Sequence, residues 1–184
     1  MNELLRWPAL NGALLLARGR ADGLEHFPND LRAASRSFWA AAICVPLYAA
    51  MVVLSWQQDR WPLDVLRSSV LEAVIFIIGW AGYAVISHAM LQGLGMGERW
   101  PRFIIVWNWV NVVQYALLLI ATAPGAAGAP GWASETCQLV AQGWALWVEW
   151  YAIRLALSVS GLRAAFVMAP DVILGLFLAG LAGT

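Results

Sequence analysis

The sequence predicts an all-α integral membrane protein: a bundle of five transmembrane helices over residues 37–184, preceded by a short interfacial amphipathic segment, residues 1–36. Three observations predict it. Hydrophobic residues make up 61% of the 184-residue chain and charged residues only 12%, against about 25% charged in ordinary soluble domains. Five apolar stretches reach the ~20 residues that a helix needs to cross a hydrocarbon core. The runs between them are short and rich in Gly, Pro and Asp, which leaves no room for a soluble domain. The same composition excludes a disordered chain. It also excludes a basic nucleic-acid binder, since eleven Arg balance eleven Asp plus Glu and there is no Lys.

Residues 1–36 carry an apolar patch between Trp7 and Ala17 flanked by Arg6, Arg18 and Arg20. A cleaved signal peptide is not expected, because Asn11-Gly12 interrupts the patch and Arg18 and Arg20 stand where small residues should be. The segment is expected to lie on the cytoplasmic face, with Arg6, Trp7, Arg18 and Arg20 as interfacial anchors near anionic lipid. Packing on the protein's own bundle is the alternative. Asp30 is placed to cap a helix leading into the first span.

The spans are expected at 37–56, 70–92, 102–122, 136–158 and 162–183. Asp59, Pro62 and Asp64 separate the first two, and Gly93, Gly95, Gly97 and Pro101 the next two. Pro124 to Gly131 breaks the chain after the third, and Ser160-Gly161 makes a tight turn between the fourth and fifth. Pro46 and Pro170 each remove a helical hydrogen bond, which predicts kinks near Ala42 and Phe166. Nine Arg fall on one side of this layout, while the other side holds only Arg60 and Arg67. The positive-inside rule then puts the N-terminus in the cytoplasm and the C-terminus outside a cell inner membrane.

Helix faces in lipid are read from small and polar residues. Gly79, Gly82 and Gly93 recur at helical spacing in the second span, and Gly175, Ala179 and Gly183 in the fifth, so these stripes should face other helices. Counting at about 1.5 Å per residue from the cytoplasmic ends places Asn111, Glu149 and Asp171 roughly 13 Å deep, near the midplane. An ionisable group there marks a candidate site, because a charge at the centre of a lone helix costs about 3 kcal/mol. Asn108, Asn111, Glu149 and Asp171 form the candidate midplane polar site. Two carboxyls at one depth can share a proton or coordinate a cation. Alternatively, hydrogen bonds to Asn108, Asn111, Gln142 or Tyr115 make them interhelical glue.

Other polar residues are read without chemistry. Ser69 to Glu72 has the spacing of a capping box at the start of the second span. His88 has no second ligand at metal spacing, and Cys44 and Cys137 form no CxxC. No catalytic residue, metal site or cofactor is expected.

The span order, the run Pro28-Asn29-Asp30 with Phe38 before the first span, and the connection from Leu155 through Ser160-Gly161 to Ala165 resemble bacterial members of the Yip-domain family. The acidic-aromatic Asp-Leu-Tyr-Gly-Pro motif of the eukaryotic members is absent. The resemblance implies a non-enzymatic protein that organises membranes or partner proteins through helix and lipid contacts. The expected partners are the lipid bilayer and a membrane protein or a second copy of the chain. The midplane carboxylates support the alternative of a small proton- or cation-coupled transporter or transporter subunit.

Overall fold

Apolar helices separated by Gly and Pro dictate the architecture. The computed structural model describes residues 8–58 and 61–182; it is 87% helix, with no strand among the described residues. In chain order the helices are α1 (Pro8–Ala17), α2 (Leu31–Ser37), α3 (Trp39–Gln58), α4 (Val65–Gly93), α5 (Trp100–Ala126), α6 (Gly131–Leu157) and α7 (Gly161–Ala182). Short 3-10 turns occupy Ala21–His26 and Gly97–Arg99.

The caps explain where these helices begin and end. Asp30 sits in extended backbone and accepts from the Ala33 N–H at 2.9 Å, as expected, so one orphan donor of α2 is satisfied. Asp64 does the same for α4 through the Arg67 N–H at 2.9 Å. This overturns the capping box at Ser69–Glu72: an earlier and better cap extends the helix, and Ser69 and Glu72 lie inside it. Glu72 instead accepts from the Tyr48 hydroxyl on α3 at 2.5 Å. α5 also outruns its expected end, passing through Pro124 and stopping before Gly128, whose φ of 79° supplies the left-handed position after the helix. The tight turn between α6 and α7 is present. Ser158 takes the left-handed conformation at φ 52°, while the Val159 N–H returns to the Arg154 carbonyl at 3.1 Å.

α5 is the central helix. Phe103, Ile104, Val106 and Val110 are almost wholly buried on it. α3 runs parallel to α5, because Ser37 meets Asn108 and Tyr48 meets Tyr115 further along both helices. α6 runs antiparallel to it, because the Arg99 guanidinium donates to the Leu157 carbonyl and Gln114 donates to the Ala145 carbonyl at 2.7 Å. α4 is antiparallel too, since Trp80 bonds Asn108 and Ser87 accepts from Trp100. α7 closes the ring against α4 and α6. The α4 glycines serve this packing: a Cβ on Gly82 would lie 3.1 Å from Leu174, and one on Gly79 would lie 3.6 Å from Leu178. Of the expected stripe, Gly79 and Gly82 therefore face another helix of the chain, whereas a Cβ on Gly93 would meet nothing within 4 Å.

Four helical stretches, Leu31–Gln57, Val65–Gly93, Gly97–Ala126 and Gly161–Leu181, are long and apolar enough to cross a membrane. α6 has the same 27 residues as α5 but carries Gln138, Gln142, Glu149 and Arg154 along its length.

The N-terminal segment packs on the bundle. Ala13 and Leu16 are fully buried and Phe27 nearly so, against α5 and α6. Gly12 and Gly23 permit the approach, as a Cβ on Gly23 would lie 2.6 Å from the Gly12 carbonyl oxygen. Leu16 is thus a core residue. Leu14 remains 37% exposed. Two side chains fasten the segment. Asn29 donates to the Glu98 carbonyl at 3.0 Å and accepts from the Arg102 N–H at 3.1 Å, and the Tyr151 hydroxyl donates to the Gly19 carbonyl at 2.8 Å.

Candidate functional site

The tight turn at Ser158 makes α6 and α7 an antiparallel hairpin, so residues equally far from the turn face each other. Glu149 lies eight residues before the end of α6 and Asp171 ten after the start of α7, depths of roughly 12 and 15 Å at the helical rise. Ala145, Ala152 and Ala156 share the buried face of Glu149, and their small side chains bring the neighbouring helices close. The two carboxyls line the same cavity. Trp107 on α5 donates its indole N–H to Asp171 Oδ2 at 3.4 Å. Glu149 is 5% exposed, and its Oε1 is buried with no hydrogen-bond partner among the described residues.

These carboxyls line a cavity of about 790 Å³. All five long helices contribute to it: Tyr48 from α3, Phe76 and Trp80 from α4, Asn111, Gln114 and Tyr115 from α5, Gln142 from α6, and Gly175 and Ala179 from α7. The acidic pair lies at one end of it. From there the lining continues to Leu118, Gln142 and Ala179, roughly 22–27 Å from the helix ends near the N-terminal segment. On the near side of the pair the bundle is solid: Tyr83, Phe103, Ile153 and Val167 are fully or almost fully buried, and the Tyr83 hydroxyl donates to the Val167 carbonyl at 3.1 Å. The cavity is a cup whose floor carries the carboxyls and which is closed toward the N-terminal segment.

The structure brings together three of the four candidate residues. Asn111, Glu149 and Asp171 line the cavity, although Asn111 spends its amide N–H₂ on the Trp107 carbonyl at 2.9 Å. Asn108 does not join them. It is fully buried beside the cavity rather than on its wall, where it accepts from the Trp80 indole at 2.9 Å and donates to Ser37 at 2.7 Å. Among the proposed interfacial anchors, Arg6 and Trp7 lie outside the described residues. Arg18 and Arg20 are exposed. Arg20 pairs with Asp22 at 2.5 Å, and its guanidinium holds the Asp22 carboxyl below the usual carboxylate range.

Sequence reasoning missed Tyr48, Trp80, Trp107 and Gln114. A signal was available on α5: Trp107, Asn111, Gln114 and Leu118 recur at steps of four, three and four, one helical face. His88 packs its ring edge-on against Trp100, with centroids 4.9 Å apart. Among the described residues no group of three or more His, Cys, Asp or Glu could hold a metal ion. No protein family, curated protein or solved structure matches this chain.

Proposed function

We propose that the chain is a non-enzymatic, five-span inner-membrane protein that binds a proton or small cation at Glu149 and Asp171 and passes it through the bundle, as a small transporter or transporter subunit. The observation that carries this reading is the buried, unpartnered Oε1 of Glu149 beside the Asp171 carboxyl at the floor of a cavity. A buried carboxyl oxygen without a donor is costly unless something occupies it. A proton or a cation is what two facing carboxyls lack. The reading takes α6 as the fifth span because α5 ends and α7 begins at opposite ends of the bundle, which α6 connects. With the Arg-rich side inward, the N-terminus is cytoplasmic, the C-terminus is outside and the cup opens outward.

The test is flux in vesicles. Purified protein reconstituted with a trapped pH dye should show pH-dependent proton or cation flux, which Glu149→Gln combined with Asp171→Asn should abolish while leaving elution volume and helical circular dichroism unchanged. Flux retained in that double variant would overturn the reading.

A second reading rests on α7. Gly180 is exposed, and an added Cβ there would meet nothing within 4 Å, which leaves a small-residue position open to another helix. Membrane organisation through a partner protein or a second copy, as the Yip resemblance implies, uses such a face. Stoichiometric co-purification of a membrane partner, lost with Gly180→Leu, would favour it.

A further inference from the structure

We propose that the ligand of this cavity is an organic monocation, an alkyl- or quaternary ammonium group held between the Glu149–Asp171 pair and a belt of aromatic rings. This rests on the cation-binding reading above and names its substrate class.

The argument begins with the rings. Tyr48, Phe76, Trp80, Trp107 and Tyr115 all line the cavity. They form one connected set, with centroid separations of 5.2 Å for Tyr48–Phe76, 5.5 Å for Phe76–Trp80, 5.3 Å for Trp80–Trp107 and 6.3 Å for Trp80–Tyr115. Aromatic faces carry negative quadrupole density and attract cations, most strongly where water is excluded, and cages of such rings are the recurrent solution for ammonium groups. Trp107 belongs both to the belt and to the carboxyl pair, since it donates to Asp171. Rings and carboxyls are therefore one site.

Size and wall chemistry select among cations. A proton or a bare alkali ion occupies a small part of 790 Å³, whereas that volume lies within the range of pockets for small organic molecules. An alkali ion requires a shell of oxygens. Asn111, Gln114 and Gln142 put amide groups on the wall, but Ile75, Leu118, Leu174 and Leu178 line much of the rest and suit alkyl groups rather than a hydrated ion. Glu149 and Asp171, both on the cavity wall, supply the acidic oxygens that an ammonium group would meet. Specificity then has two sources: the carboxyls demand a positive charge, and the rings and aliphatic walls demand that it be greasy.

The test uses the purified full chain in maltoside micelles, titrated with choline and with its uncharged carbon analogue dimethylbutanol, by calorimetry and by tryptophan fluorescence. Choline should bind at one per chain, with dimethylbutanol at least about tenfold weaker. Glu149→Gln should weaken choline by about tenfold or more. Tyr115→Leu should weaken it by about 5–30-fold, the range of a desolvated cation–aromatic contact. Tyr115→Phe keeps the ring, so it should stay within about threefold of the parent, which separates ring chemistry from a folding defect. Displacement of choline by short-chain phosphatidylcholine, but not by the matching diacylglycerol, would assign the ammonium group to a lipid headgroup; no displacement would assign it to a free amine. Equal affinity for choline and dimethylbutanol, or no choline binding, overturns the inference. If flux is still lost in the Glu149→Gln, Asp171→Asn variant, only the ligand class falls. If flux is retained as well, the cation-binding reading falls with it.

Discussion

The Tyr48 hydroxyl on α3 donates to the Glu72 carboxyl on α4 at 2.5 Å, linking two helices whose main packing partners are different. α3 rests on α5 and α4 rests on α7, so this hydrogen bond, with the Tyr48–Phe76 ring contact, closes the wall of the cavity between them. Hydrogen bonds to charged groups contribute about 1.5–3 kcal/mol in soluble proteins and about 0.6 kcal/mol on average between membrane helices. Tyr48→Phe should therefore lower stability in detergent by about 1 kcal/mol and widen the α3–α4 distance distribution between spin labels. An unchanged distribution would show that the bond does not hold the wall.

Asn108 serves two partners at once. Its replacement by Leu strands the Trp80 indole N–H and removes the donor to Ser37 in a fully buried setting. The expected cost is about 1–3 kcal/mol, measured as a lowered melting temperature. Asn108 does not line the cavity but its partner Trp80 does, so ligand affinity of the folded variant should fall only as far as the Trp80 ring shifts; unchanged affinity beside a lowered melting temperature would assign Asn108 to packing alone.

Gly161 shows where a single methyl group is not tolerated. A Cβ there would sit 2.8 Å from Trp150 Cζ2, and the indole cannot retreat freely because its N–H is bonded to the Gly161 carbonyl at 2.8 Å. Gly161→Ala should destabilise by about 1–3 kcal/mol through overpacking. Gly143, in the middle of α6, faces open space. There the same change should be neutral or stabilising by up to about 1 kcal/mol, and thermal melts of the two variants side by side would check the contrast.

Asn29 is the tether between the N-terminal segment and α5. Asn29→Ala removes both its bonds, to the Glu98 carbonyl and from the Arg102 N–H. Amide exchange over residues 8–27 should accelerate by about tenfold while exchange in α5 stays unchanged, since local opening needs only the tether's free energy. Equal exchange in variant and parent would assign the docking to Leu16, Phe27 and the Tyr151–Gly19 bond.

Much of this architecture was legible in the residues. Length, apolarity and Gly/Pro punctuation located every long helix, and Asp30 and the Ser160-Gly161 turn behaved as their chemistry requires. The failures have physical reasons. Ser69–Glu72 imitates a cap, yet Asp64 competes for the same helix start and wins by coming first. Pro124 is a weak stop so near the helix end: it withholds a single N–H, and the carbonyls of Ala123, Pro124 and Gly125 are taken by the N–H groups of Ala127, Ala129 and Gly128. Asn108 and Asn111 are three residues apart and so share a side of α5, but a cavity is narrower than a helix face, and only Asn111 reaches it. Depth could be counted along one helix. Which aromatic rings from α3 and α4 meet the carboxyls depends on how helices rotate against each other, and one strand of text does not carry that.

The polar stripe of α6 bears on how the protein enters the bilayer at all. Gln138, Gln142, Glu149 and Arg154 make this helix a poor passenger on its own, since each charge alone adds about 3 kcal/mol to insertion. The turn at Ser158 to Ser160 is too short for the two helices to be handled separately. On the five-span reading proposed above, α6 and α7 are therefore expected to leave the ribosome-bound translocon as one hairpin, with apolar α7 drawing α6 into lipid and Asp171 arriving already opposite Glu149. Assembly of the acidic pair and completion of topology become the same event.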